Sequence, residues 1–135
     1  MAEKTFNLRI ISPDRVFYEG DIEMLELNTS EGEMGIYAEH IPLTAILVPG
    51  IVTIHEAEGI KKAAVHAGFI EILKDKVNVL AEVAEWPEEI DINRANEARI
   101  RAERRLGGMA SESDVNIMRA ELALKRALTR INLLK

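Results

Sequence analysis

Six arginines in the last third of the chain carry its clearest chemical signal. Arg94, Arg101 and Arg105 stand at i, i+7 and i+11, and Arg119, Arg126 and Arg130 repeat that spacing. On helices each set forms one stripe. If the two helices close on each other, guanidiniums from both converge. Guanidinium forks match phosphate oxygens, and each such charge-assisted bond is worth about 1.5–3 kcal/mol. Asp91 adds an acceptor for a base or a ribose hydroxyl. The competing reading is a solvated face, with Arg94, Glu97, Arg101 and Glu121 in exposed ion pairs worth about 0–1 kcal/mol each. Spacing alone favours that second reading.

Other chemistry is poorly supported. His40, His55 and His66 lie far apart in sequence, fit no metal-ligand spacing, and read as structural or surface residues. No Walker-type phosphate loop occurs, and Gly32 and Gly35 read as turn residues. No catalytic constellation is visible, so the expectation is a protein that is not an enzyme. Cysteine is absent, which excludes disulfides, iron–sulfur clusters and thiolate zinc sites. No apolar run reaches the roughly 18 residues of a membrane span, and the start lacks a signal-peptide pattern. These features point to an intracellular protein without direct membrane insertion. A net charge of −6 argues against bulk nucleic-acid binding.

That charge is unevenly placed. Residues 1–89 carry 7 Lys and Arg against 17 Asp and Glu, whereas residues 90–135 carry 10 against 6. The acidic part reads as short strands: 6–10, 16–18 (closed by Glu19-Gly20), 22–29, 43–48, 51–55, 60–66, 69–73 and 77–83. Ser30 to Gly35 reads as a turn, and Met24-Leu25 as a bulge. Close, even spacing of strands suggests an antiparallel sandwich or flattened barrel over residues 1–86. Pro87 biases Trp86 to extended geometry and marks the junction. Residues 87–135 read as a two-helix domain. Asp91 is the expected N-cap of a helix from Ile92 to Leu106, about 22 Å long. Gly107-Gly108 ends it, and Ser111 and Ser113 are candidate caps for a second helix that runs to the C-terminus.

The second helix has a heptad-like seam of Ile117, Ala120, Leu124, Ala127, Ile131 and Leu134, facing a thinner one of Ala95, Ala98, Ala102 and Leu106. Alanine buries little area, and a buried methylene contributes only about 0.8 kcal/mol. The docked pose of such a hairpin therefore depends on something further: the β body, a ligand or a partner. A ligand at about 100 times its dissociation constant adds about 2.7 kcal/mol, enough to switch a weakly docked element.

The whole chain resembles the ε subunit of bacterial F-type ATP synthases. Two segments carry the resemblance in the first part: Ser30-Glu31-Gly32-Glu33-Met34-Gly35-Ile36-Tyr37 and His40-Ile41-Pro42-Leu43. In the second, Ile90-Asp91-Ile92-Asn93-Arg94-Ala95 fits the family's nucleotide-binding pattern, and residues 119–127 resemble the second helix of its ATP-binding members. The resemblance implies a ten-stranded β-sandwich followed by a helical hairpin. It implies a non-catalytic rotor subunit bound to γ and seated on the c ring, peripheral to the cytoplasmic face of the cell membrane. Glu33 matches the loop position facing the c ring, and His40 the position near γ. The helices would extend to the α and β subunits and block ATP hydrolysis, or fold with ATP bound as a regulatory ligand, with or without Mg²⁺. Carried over, the ATP contacts are Glu85, Ile90, Asp91, Arg94, Ala95, Arg101, Arg126 and Arg130. The alternative is a free-standing nucleotide sensor with no γ-like partner.

Overall fold

The computed structural model describes residues 4–108 and 114–135. Eight strands come first: β1 Phe6–Ser12, β2 Arg15–Ile22, β3 Met24–Thr29, β4 Gly32–Tyr37, β5 Leu43–Leu47, β6 Gly50–Glu56, β7 Gly59–Ile72 and β8 Lys76–Glu85. In β1, Phe6, Leu8, Ile10 and Ser12 are buried while Asn7, Arg9 and Ile11 are not, the alternation a half-buried strand requires. β7 and β8 serve both layers of the sandwich. The second half of β7 pairs with β5, and the first half of β8 with β1, giving a layer in the order β2-β1-β8-β7-β5. The first half of β7 pairs with β6, β6 with β3, and β3 with β4, giving the other layer. Between them lie Leu8, Ile10, Leu25, Ile36, Ile54, Ile70 and Val79, all fully buried.

The bend between the two halves of β7 falls at Ala67 and Gly68, whose φ values are 61° and 124°. A Cβ on Gly68 would stand 2.0 Å from the Leu80 carbonyl oxygen. Only glycine fits there, both for its φ and for the close approach of the neighbouring backbone.

Several sequence expectations are corrected. The resemblance implies ten strands, and the described residues form eight; 60–66 and 69–73, read as two strands, continue through the bend as one. The purely antiparallel arrangement fails at one pair: β1 and β8 run parallel, from Asn7 opposite Lys76 to Ile11 opposite Leu80. Most of the sandwich lies between these strands in sequence, so no tight turn fixes their relative sense. Gly32 to Gly35 opens β4 instead of forming a turn. The turn is Ser30-Glu31 alone, braced by Thr29 Oγ1, which donates to the Gly32 carbonyl at 2.9 Å and accepts from the Glu31 amide at 3.2 Å. Glu19 and Gly20 do not close a strand, since β2 runs on to Ile22 and the break falls at Glu23.

A 3-10 turn, Pro87–Glu89, leads into α1 Ile92–Gly107 and then α2 Asp114–Leu133. Asp91 caps α1 as its residue type predicts, Oδ1 accepting from the Asn93 and Arg94 amides at 3.0 and 3.2 Å. Gly108 follows the helix, its amide donating to the Arg104 carbonyl at 3.1 Å. Ser111 and Ser113 lie outside the described residues. Ala95 and Ala102 of α1 and Ala120 and Ala127 of α2 are buried, whereas Ile117, Leu124 and Ile131 are half-buried. The seam is thus as thin as the sequence suggests. The hairpin is folded back, with α2 resting on β6 and β7. This contact explains why residues 63–66 of β7 are all buried. Ala63 and Val65 belong to the sandwich core; Ala64 and His66 point to the opposite face, which α2 covers.

Gly68→Ala is expected to cost about 3 kcal/mol or more, combining left-handed strain with a backbone clash. Urea unfolding followed by circular dichroism checks this, and an unchanged midpoint would show that the bend tolerates a side chain.

Candidate functional site

Sandwich, junction and hairpin meet around one cavity of about 340 Å³, lined by Glu85, Glu89, Ile90, Asp91, Arg94, Ala95, Ala98, Arg101 and Arg130. β8 supplies Glu85, the junction supplies Glu89, Ile90 and Asp91, and the two helices supply the rest. The junction is firmly placed. Trp86 is extended (φ −78°, ψ 156°) and stacks on Phe17, with ring centroids 4.2 Å apart and planes at 17°. Glu89 Oε1 accepts from the Trp86 amide at 2.9 Å and from Arg15 Nη2 at 2.8 Å. The cavity floor is therefore tied to β2 as well as to β8.

Seven of the eight residues assigned to nucleotide contact line this cavity: Glu85, Ile90, Asp91, Arg94, Ala95, Arg101 and Arg130. The eighth, Arg126, does not. Its Nη2 lies 3.7 Å from Glu82 Oε2, and its Nε is buried without a hydrogen-bond partner. Glu33 and His40 sit elsewhere. Glu33 is exposed on β4 opposite Asn28. His40 follows Glu39, whose φ is 66°, with Nδ1 2.8 Å from the Ile41 carbonyl.

Each carboxylate at the cavity is already engaged. Glu89 pairs with Arg15, and Asp91 caps α1. Glu85 Oε1 accepts from His66 Nε2 at 2.9 Å and from Arg130 Nε at 2.7 Å. Burial alone would push the Glu85 carboxyl up, but the bonds from His66 and Arg130 outweigh it and hold the group below its usual value of 4.5. Among the described residues Arg94 and Arg101 have no carboxylate partner, and both are exposed. The balance is two unpaired guanidiniums beside engaged acids, an arrangement that attracts an anion.

Sequence reasoning missed His66. Its side chain is 1% exposed and bonds the one cavity carboxylate that also holds α2. No local pattern announces this, because His66 and Glu85 meet only through the β7–β8 register, in which Ala64 stands opposite Glu85 and His66 opposite Val83. The Arg15–Glu89 pair was invisible for the same reason.

The Glu85 geometry gives a pH prediction. A carboxyl held low in the folded state contributes stability above its unfolded value of 4.5, and that contribution is lost as the pH falls through the lower folded value. Docking of α2 should therefore persist at neutral pH and weaken below about 4.5. The chain has no cysteine, so dyes on Glu58→Cys and Met118→Cys report the docking distance by energy transfer. Glu85→Gln should remove the acid step; an identical acid step in that variant would assign it to another group.

Residues 5–87 match the family described as the beta-sandwich domain of the ATP synthase delta/epsilon chain, and residues 88–135 match its long alpha-helix domain. The chain is 42% identical over 128 residues to an ATP synthase epsilon chain of Halalkalibacterium halodurans, covering 95% of this chain and 96% of the relative. It is 46% identical over 131 residues to that of Shouchella clausii, covering 97% and 96%. In fold it resembles a chain in the Euglena gracilis mitochondrial ATP synthase, with a TM-score of 0.83 at 22% identity, covering 97% of this chain and 82% of that one. A chain from the central stalk and c ring of the Tetrahymena thermophila mitochondrial enzyme gives 0.67 at 11% identity, covering all of both. The epsilon chain is a non-catalytic subunit, and with both halves matched end to end, this chain belongs to the ATP synthase delta/epsilon family.

Proposed function

We propose that the chain is a rotor subunit of the central stalk of a bacterial F-type ATP synthase, whose C-terminal helices restrain ATP hydrolysis and whose folded hairpin binds ATP. The observation that carries the regulatory half is the cavity. It draws its lining from β8, the junction, α1 and α2 together, so it exists only while the hairpin is docked. A nucleotide bound there stabilises the folded pose by its difference in affinity for the two poses, and by nothing else. The thin seam, whose fully buried members are alanines, keeps that difference decisive, because little apolar burial opposes undocking.

In this reading Arg94 and Arg101 take phosphate oxygens, Asp91 and Glu85 take donors of the base or ribose, and Ile90, Ala95 and Ala98 form an apolar wall. Mg²⁺ would accompany the phosphates and is not needed to assemble the cavity. Arg126 joins only by leaving Glu82. Undocked, the same arginines meet acidic surfaces on the α and β subunits. The layer that α2 leaves bare offers a face to γ: Val16, Ile11, Leu80, Phe69 and Ile46 stand in register across five strands, and Val16, Phe69 and Ile46 are exposed. Glu33 and His40 would face the c ring and γ. Among the described residues no helix is long and apolar enough to cross a membrane, which fits a peripheral place at the cytoplasmic face.

Calorimetry tests the nucleotide site. Arg94→Ala should weaken ATP binding at least tenfold, about 1.4 kcal/mol or more. Arg126→Ala should do the same if the side chain swings in, and an unchanged affinity would leave Arg126 as a docking residue only. Removing residues 90–135 should leave co-purification with γ intact and raise ATP hydrolysis by the assembled enzyme. No rise in hydrolysis would sink the inhibitory role, and a monomer with no γ-like partner would favour a free-standing sensor.

A further inference from the structure

The residue that sets the cavity's geometry from behind is His66. Its ring lies on the outer face of β7, 1% exposed, in the part of the strand that α2 covers. Nε2 is 2.9 Å from Glu85 Oε1, the oxygen that Arg130 Nε also reaches at 2.7 Å. Because Glu85 is held in its ionised, acceptor-only form, Nε2 must be the protonated nitrogen of the ring. Nδ1 is buried without a hydrogen-bond partner, so the imidazole has no competing bond to turn it away from Glu85. Both donors use Oε1, and Glu85 lines the cavity. We propose that His66 is a positioning residue of the nucleotide cavity, fixing the Glu85 carboxylate so that one oxygen latches α2 through Arg130 while the other meets the ligand.

This role rests on the nucleotide reading of the same cavity. His66 does not line that cavity and acts only through Glu85. The charged groups near Glu85 come from several elements: Arg130 and, one turn earlier, Arg126 from α2; Arg94 and Arg101 from α1; Glu89 and Asp91 from the junction; Arg15 from β2, which bonds the Ala84 carbonyl; and Glu82 from β8. Of these only Arg130 shares its bonded oxygen, so loss of His66 leaves the carboxylate dependent on a side chain of α2.

Three variants in the full chain separate positioning from packing. His66→Gln keeps an amide donor near the place of Nε2, His66→Asn places its amide nearer Nδ1, and His66→Leu keeps bulk without a donor. Two readouts are needed: the Glu85 carboxyl titration followed by carbon-13 NMR in the ligand-free chain, and ATP affinity by calorimetry at neutral pH. In His66→Leu and His66→Asn the Glu85 titration should move upward and ATP affinity fall about tenfold, and His66→Gln should restore both. A packing role would instead disturb Gln and Asn alike and leave the Glu85 titration in place. An unmoved Glu85 titration in His66→Leu overturns the proposal whatever ATP does. If the wild-type chain binds no ATP, the nucleotide reading fails on its own, and the NMR titration still decides whether His66 fixes this carboxylate.

Discussion

One carboxylate oxygen joins the two halves of this chain. Glu85 Oε1 accepts from His66 on β7 and from Arg130 on α2, so the last residue of the last strand anchors the helix at the far end of the sequence. A carboxylate in a half-buried place loses hydration, and here two donors replace the lost water. Breaking the Arg130 bond would leave the anion with one donor, and breaking the His66 bond would leave it held by Arg130 alone. Much of the specificity of the docked pose follows from this point, because the rest of the interface supplies little that is directional.

Beyond this bond, the fully buried side chains of the described helix residues are small ones. Ala95 and Ala102 of α1 and Ala120 and Ala127 of α2 are buried. Alanines let two helices approach closely and lose no side-chain entropy, yet each buries only a methyl group. Larger side chains on this seam would deepen the docked minimum and make the pose permanent. Half-buried Ile117, Leu124 and Ile131 instead keep apolar surface that another partner can cover. The sandwich is built on the opposite principle, with a continuous core of Leu, Ile and Val and a bend that admits only glycine. A rigid body carrying a pair of helices with so little buried bulk would suit the two-state regulation proposed above.

Local chemistry was readable from the sequence; long-range pairing was not. The Asp91 cap, the glycine stop after α1, the alanine seam and the extended Trp86 all follow from residues a few positions apart, and all appear as expected. Two errors are local, the turn read through Gly35 and the strand end read at Glu19-Gly20; the others fall where the third dimension decides. β7 passes through a bend that reads as a strand end, since Ala67-Gly68 looks like turn chemistry until Leu80 is seen pressing against Gly68. β1 and β8 pair in parallel because the whole sandwich lies between them. His66 read as an ordinary histidine because its partner is 19 residues away across a strand pair. Of the six arginines in the two stripes, Arg94, Arg101 and Arg130 line one cavity, whereas Arg105, Arg119 and, alone among the assigned contacts, Arg126 stay outside it.

That exception bears on how a ligand would work here. Arg126 and Arg130 sit one turn apart on α2 and face Glu82 and Glu85 on β8, at 3.7 and 2.7 Å. The strand thus presents two carboxylates where a nucleotide presents phosphates, and both bid for the same cations. The pair at Glu85 is close and sheltered, whereas Glu82 is 67% exposed and its contact long, so solvent screening leaves that bond weak. A phosphate should therefore capture Arg126 readily and Arg130 only in part. Arg130 can then hold α2 to the sandwich through Glu85 while Arg126 closes on the ligand. The energy that the proposed binding would deliver to the docked pose is what the phosphates gain beyond what these carboxylates already give, a small difference between two similar attractions and so a tunable one.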